Sequence, residues 1–165
     1  MGDIAAALAP QSTVREQVLR LYDGPSRTVQ VTDHEVEYPD GKLIVSRTDP
    51  QGIITHVNQA FVDMSGYTRE ELIGQPHHIL RHPDMPAAAF KDLWDTVGAG
   101  RKWTGYVKNL RKDGAHYWVY ATAIPNVRNG VVVGYTSVRR KPSRSKVDSC
   151  TTLYAQMVAQ EGSTS

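Results

Sequence analysis

The sequence predicts an α+β domain, a five-stranded antiparallel sheet with helices packed on one face. Three observations predict it. Asp113-Gly114 and Asn129-Gly130 each separate two β-type runs, a strong short-range signal for a hairpin, so the strands around them pair antiparallel. Phe90, Leu93, Trp94 and Val97 recur at i, i+3, i+4 and i+7 behind Pro86, which draws one face of a helix. Two strand-like runs precede the helical segments and three follow them, an order that segregates helices from sheet and allows a pocket between the layers.

Taken along the chain, Ser12 followed by Val14, Val18, Leu21 and Tyr22 has the spacing of a short amphipathic helix over residues 12–22, ended by the Gly, Pro and Asp of residues 23–41. Leu43-Ile44-Val45 opens the first strand, Asp49-Pro50-Gln51-Gly52 has the residues of a type I turn, and Ile53 to Val57 returns. Asn58 caps a helix carrying Phe61 and Met64 that stops near Gly66. Thr68 and Glu71 have capping-box spacing, and Gly74 can end that second short helix in the left-handed region. The Pro86 helix closes at Gly98 and Gly100. Strands Lys102–Leu110, His116–Pro125 and Val131–Arg139 complete the sheet. Arg139, Arg140, Lys141, Arg144 and Lys146 then surround Pro142, and Leu153, Tyr154, Met157 and Val158 suit a C-terminal helix, read together as an output segment. The final Gly-Ser-Thr-Ser reads as a frayed end. The organisation expected is a cap with a short helix at 1–40, a sensor domain at 41–142, and an output helix or linker at 143–165.

Length and charge bound the function. A chain of 165 residues suits one domain with flanking segments. Nineteen Lys and Arg against 17 Asp and Glu give a net charge of +2, too mild for nucleic-acid binding as the main activity. The single cysteine, Cys150, excludes an intramolecular disulfide and multi-cysteine metal sites, and suits a cytoplasmic location. No segment has the composition of a signal peptide or a membrane span.

Two stretches carry a specific likeness. Gly74-Gln75-Pro76-His77-His78-Ile79-Leu80-Arg81-His82-Pro83-Asp84-Met85-Pro86 precedes Phe90 and Trp94. Trp103-Thr104-Gly105-Tyr106-Val107-Lys108-Asn109 runs through Lys112-Asp113-Gly114 to Tyr117-Trp118-Val119. With Asn58-Gln59-Ala60-Phe61 and Ser65-Gly66-Tyr67 upstream, residues 41–142 resemble the flavin-binding PAS domains of bacterial aerotaxis transducers. The resemblance implies the PAS fold, FAD held without a covalent bond, and a flavin redox state passed to a downstream chemotaxis signalling module, with dimerisation through the flanking helices. Carried over by position, it implies Arg81, His82 and Asp84 in flavin retention or signalling. It also implies Trp103, Asn109 and Tyr117 as pocket residues, and Asn58 and Trp94 beside them.

The chemistry can be weighed residue by residue. Asn109 can donate to and accept from the polar edge of a flavin, and stands on the same strand face as Trp103 six residues earlier; the plain alternative is an Asn near a turn. Arg81 has a donor fork suited to phosphate, with His82 able to add a hydrogen bond, while Asp84 would orient Arg81 or cap the helix at Pro86; the plain alternative is a surface ion pair. Tyr117 depends on strand register. Phe90, Leu93, Trp94 and Val97 are core residues by default. Haem ligated by His77, His78 or His82 is the rival within this fold. Flavin–cysteine photochemistry is excluded because Cys150 follows the last strand. No nucleophile–base pair can be assembled, so an enzyme is not expected. An interaction module with its pocket filled by side chains is the remaining alternative.

Overall fold

The computed structural model describes residues 14–20 and 26–163. Strands β1 (Arg15–Arg20) and β2 (Ser26–Val31) form a hairpin of their own. Strands β3 (Ile44–Thr48), β4 (Ile54–Val57), β5 (Trp103–Leu110), β6 (His116–Arg128) and β7 (Val131–Arg140) form one antiparallel sheet in the order β4-β3-β7-β6-β5. Between β4 and β5 come α1 (Gln59–Ser65), α2 (Arg69–Leu72), a 3-10 turn (His77–Leu80) and α3 (Ala87–Gly98); α4 (Arg144–Ser163) follows β7. The fold class predicted from the sequence is the one found.

The local signals act as their chemistry dictates. Asn58 Oδ1 accepts from the Phe61 amide at 3.1 Å, and Gly66, at φ 78°, turns the chain out of α1. Thr68 and Glu71 form the reciprocal capping box. The Asp49–Gly52 turn closes with a 3.0 Å hydrogen bond from the Gly52 amide to the Asp49 carbonyl. Gly52 itself has φ +83°, and the Trp94 ring lies 3.2 Å from where a Cβ would stand. A side chain there would be strained and would meet the aromatic wall.

The expected helix over 12–22 is not found. Arg15–Arg20 is a strand whose burial alternates through Val18 (exposed) and Leu19 (buried), paired from Arg15↔Val31 to Arg20↔Ser26. A four-residue apolar spacing such as Val14 to Val18 puts both side chains on one face of a strand as well as of a helix. The β-branched Thr28, Val29 and Val31 supply a partner strand, which decides between the two. Ser12, Leu21 and Tyr22 of that reading, and the last two residues of the expected frayed end, lie outside the described residues. The C-terminal helix is present and longer than its four apolar residues suggested.

The alternation of β5 and β6 sorts the sheet into two faces. The inner face carries Trp103, Val107 and Asn109 opposite Ala123, Val119 and Tyr117. It packs against α1 and α3, and Ile44, Ile54, Phe61, Leu72, Leu80 and Val97 are buried with it. The outer face carries Tyr106, Lys108 and Leu110 opposite Tyr120, Trp118 and His116. The segment after β2 meets it through the Glu35↔His116 bridge, and α4 through the Trp118–Tyr154 ring stack.

Candidate functional site

A cavity of about 370 Å³ opens between the inner sheet face and the helical layer. Its size falls at the lower end of small-molecule sites. Small side chains make the room: Ala121 and Ala123 line its floor on β6, where larger neighbours fill the rest of that strand's inner face. Phe90, Leu93, Trp94 and Val97, one stripe of α3, form an apolar wall, and Tyr135 of β7 meets Trp94 edge to face at 5.5 Å. The stripe read as core is core and cavity wall at once.

The polar groups converge on this wall. Asn109 lines the cavity, is 5% exposed, and its Nδ2 has no hydrogen-bond partner among the described residues. At the other polar cluster Arg139 Nη2 donates to Ser46 Oγ at 3.1 Å and to His77 Nε2 at 2.7 Å, while Nη1 has no partner among the described residues. Arg139 is 4% exposed, lies 5.2 Å over the Phe61 ring, and has no carboxylate among its contacts with the described residues. Burial pulls its guanidinium down to about 10, with the Tyr117 and Tyr38 hydroxyls working the other way. Burial likewise holds His77 down to about 3, reinforced by Arg139, so its imidazole is neutral.

Arg81 belongs to the cavity as well. Its backbone makes an antiparallel bridge with Asn109, so the segment 81–85 is strapped along the edge strand β5. Alternation along the strap then separates neighbours. The Arg81 side chain lines the cavity with its Cζ 4.5 Å over Phe90 and Nη2 donating to the Met85 carbonyl at 3.3 Å. His82 faces the other way, against His116 at 5.8 Å between ring centroids, with Nδ1 accepting from the Asp84 amide. Burial, with Lys108 next, depresses His82 to about 3 and His116 to about 4.

Three of the eight residues expected at the cofactor therefore line the cavity: Asn109, Arg81 and Trp94. The structure sets the other five around it. Asp84 accepts from Lys108 Nζ at 2.7 Å and neither pairs with Arg81 nor caps α3. His82 packs outside the strap. Trp103 is buried on the inner face as its spacing from Asn109 required, but its indole N–H donates to Asp92 of α3 at 2.8 Å, and its ring fills the space where a Gly105 Cβ would stand, 2.5 Å away. Tyr117 is Asn109's register partner and shares its face, buried behind it; its hydroxyl lies beside the Asn109 side chain without a well-formed hydrogen bond among the described residues, and burial pushes it up to about 12. Asn58 spends its amide on the backbone, accepting from Val45 N and Phe61 N and donating to the Leu43 carbonyl.

Arg139, Ser46 and Tyr135 are cavity residues that sequence reasoning did not assign. In sequence Arg139-Arg140 reads as solvated charge belonging to the basic output segment; only the register of Arg139 opposite Ala121 and Ile44, both inward, shows where it points. The signal available was period-two alternation carried one residue past the strand's apolar part. His77 and His78, weighed as haem ligands, both line the cavity, and His77 Nε2 is already engaged by Arg139. Cys150 lies on α4, away from the cavity. Among the described residues no group of three His, Cys, Asp or Glu side chains is placed to hold a metal ion.

A five-stranded antiparallel sheet closed by a helical layer, with a cavity between them, is the architecture of the PAS class of domains. Residues 54–139 match the family model described as the PAS fold, and the chain belongs to that family. It is 47% identical over 129 residues to the aerotaxis receptor of Escherichia coli strain K12, covering 78% of this chain and 26% of that protein. The chain thus spans about a quarter of that relative's length. Among solved structures it is similar to the PAS domain of a Colwellia psychrerythraea protein, with 29% identity and a TM-score of 0.52 over 62% of this chain and 87% of that one. The light-state structure of the blue-light photoreceptor Aureochrome1 LOV shares the fold, with a TM-score of 0.58 at 21% identity over 73% and 91% of the two chains. The resemblance read from the motifs is borne out. Among the described residues no helix is long and apolar enough to cross a membrane.

Proposed function

We propose that this chain is a sensory input domain that holds FAD non-covalently in the cavity and reports its redox state. Its output would pass to a chemotaxis-type signalling module, in a longer chain or a separate partner, with the domain acting as a cytoplasmic homodimer. One observation carries the reading furthest: a buried arginine with no carboxylate partner among the described residues faces a cavity that also holds an amide, that of Asn109, with no well-formed hydrogen bond from its Nδ2 among those residues. An uncompensated buried charge costs several kcal/mol, so the arrangement fits a ligand that supplies acceptors and negative charge. Reduction of a flavin ring supplies that charge on its polar edge. Arg139, held in place by Ser46 and His77, would stabilise it, and Asn109 would satisfy its amide against the same ring system. The cavity's size suits the ring system, and the exposed Pro50 and Gln51 at its rim leave the phosphates a route outward.

The residues divide accordingly. Phe90, Leu93 and Trp94 give the flat apolar wall. Arg81 and Asn109, bridged through their backbones, fix the strap to the strand. Asp84, through Lys108, holds the strap in register and so positions Asn109 from outside. The visible spectrum of the purified protein tests the reading. A two-band flavin spectrum, bleached by dithionite and restored by air, and weakened in Asn109→Ser, is the expected result. A single intense Soret band would move the assignment to haem and the histidines. A colourless protein that refuses added FAD would leave an interaction module.

A further inference from the structure

The first turn of α3 has no cap of its own. Pro86 stands at the N-cap and offers no side-chain hydrogen bond, the first turn contains no acidic residue, and the nearby Asp84 is taken by Lys108. The free amides of a helix's first turn need acceptors, and a negative group is favoured there by the helix dipole. The acceptors come from the far end of the chain: the Glu161 carboxylate, near the end of α4, takes Ala87 N–H at 2.9 Å and Ala88 N–H at 3.0 Å.

α4 reaches that point by one face. Val147, Tyr154 and Glu161 follow one another at seven-residue steps. Val147 is buried, the Tyr154 ring stacks on Trp118 at 6.1 Å, and the Tyr154 hydroxyl donates to the Tyr106 carbonyl at 2.8 Å. The helix therefore starts on the outer sheet face, passes the edge strand β5, and ends on the helix that walls the cavity. Phe90, under the Arg81 guanidinium, lies three residues beyond Ala87.

We propose that Glu161 is a latch through which the cavity helix and the C-terminal helix open and close as one unit, so that a change of ligand state in the cavity reaches the end of α4. The signal it carries rests on the flavin reading above; the mechanical link rests on the two hydrogen bonds alone.

Amide hydrogen exchange on the full chain separates the two. Glu161→Ala should raise exchange in the first turn of α3 as well as in the last turn of α4, each by about tenfold, within the range that loss of a helix cap produces. Glu161→Gln, which keeps one acceptor, should fall between. Ala87→Pro removes one donor at a position where proline suits a helix start, so α3 stays intact while exchange at the end of α4 rises, as reciprocal coupling requires. The latch is overturned if Glu161→Ala frays α4 while the 87–90 amides keep their protection, or if Ala87→Pro leaves the end of α4 unchanged. With FAD added and then reduced by dithionite, the wild-type α4 end should respond, and in Glu161→Ala the response should stay within the cavity residues. A reduced, FAD-loaded wild-type protein whose cavity amides respond and whose α4 end does not would also overturn it. Refusal of FAD would sink the flavin reading, and the ligand-free exchange of the variants would still decide the latch.

Discussion

The two faces of the sheet are built by the same strands and do opposite things. Inward, β5 and β6 present Val107, Asn109, Ala121 and Ala123 to a cavity, with buried polar groups left unsatisfied. Outward, one residue along, they present Tyr106, Lys108, Trp118 and Tyr120, where Tyr154 of α4 stacks on Trp118 and Asp84 of the strap takes Lys108. The inner face gives up packing and leaves a cavity; the outer face carries the connections to the flanking segments. Because side chains alternate, Asn109 and Lys108 are neighbours in sequence yet face different layers, and the strap at 81–85 repeats the division with Arg81 inside and His82 outside. A backbone shift at Asn109 therefore moves both faces together.

Breaking the outer face should have the largest effect. Trp118→Ala removes a buried indole and the stack on Tyr154, and is expected to destabilise the fold by on the order of 3–5 kcal/mol in urea titrations. Flavin uptake by the fraction still folded should be retained; loss of uptake there would show that the faces are not separable. On the inner face, Arg139→Met should lower the flavin reduction potential by on the order of 60–120 mV for a one-electron step, the loss of a charge-assisted hydrogen bond of about 1.5–3 kcal/mol. The same substitution should leave the ligand-free protein as stable or more so, because an unpaired buried charge is gone. A potential that does not move would remove Arg139 from the ring's polar edge.

The buried histidines sharpen the comparison through pH. His77 inside and His82 and His116 outside all titrate in the folded protein at about 3 to 4, below the ordinary 6.5. The unfolded chain then binds protons that the native chain does not, so stability is fully present above about pH 6.5 and falls as the pH drops toward 4. Each histidine contributes a slope of about 1.4 kcal/mol per pH unit across that window. Replacing His77 or His82 by Gln should each remove about one proton from the slope of unfolding free energy against pH; an unchanged slope would mean the replaced ring was already charged. The smallest effect is expected at Tyr117→Phe, which deletes a buried hydroxyl that lies beside the Asn109 side chain without a well-formed hydrogen bond among the described residues, and should change stability by less than about 1 kcal/mol. A larger loss would reveal a partner for that hydroxyl.

Local chemistry by itself determined much of this protein. Asn58, Thr68 and Glu71 cap their helices, Gly66 ends one, Asp49-Pro50-Gln51-Gly52 turns, and the α3 stripe faces inward, because each depends on residues within a turn or two of one another. The motifs around Arg81 and Asn109 were also enough to indicate the family. Tertiary structure decided what depends on distant partners. A strand replaced a helix at Arg15–Arg20 because Ser26–Val31 lies beside it. Arg139 became a cavity residue because its register neighbours point inward. Asp84 serves Lys108, and the cap of α3 is a carboxylate that lies 74 residues from the first amide it accepts from. A sequence states which groups need partners; which partners they get is settled when the strands take their register and the helices close over them.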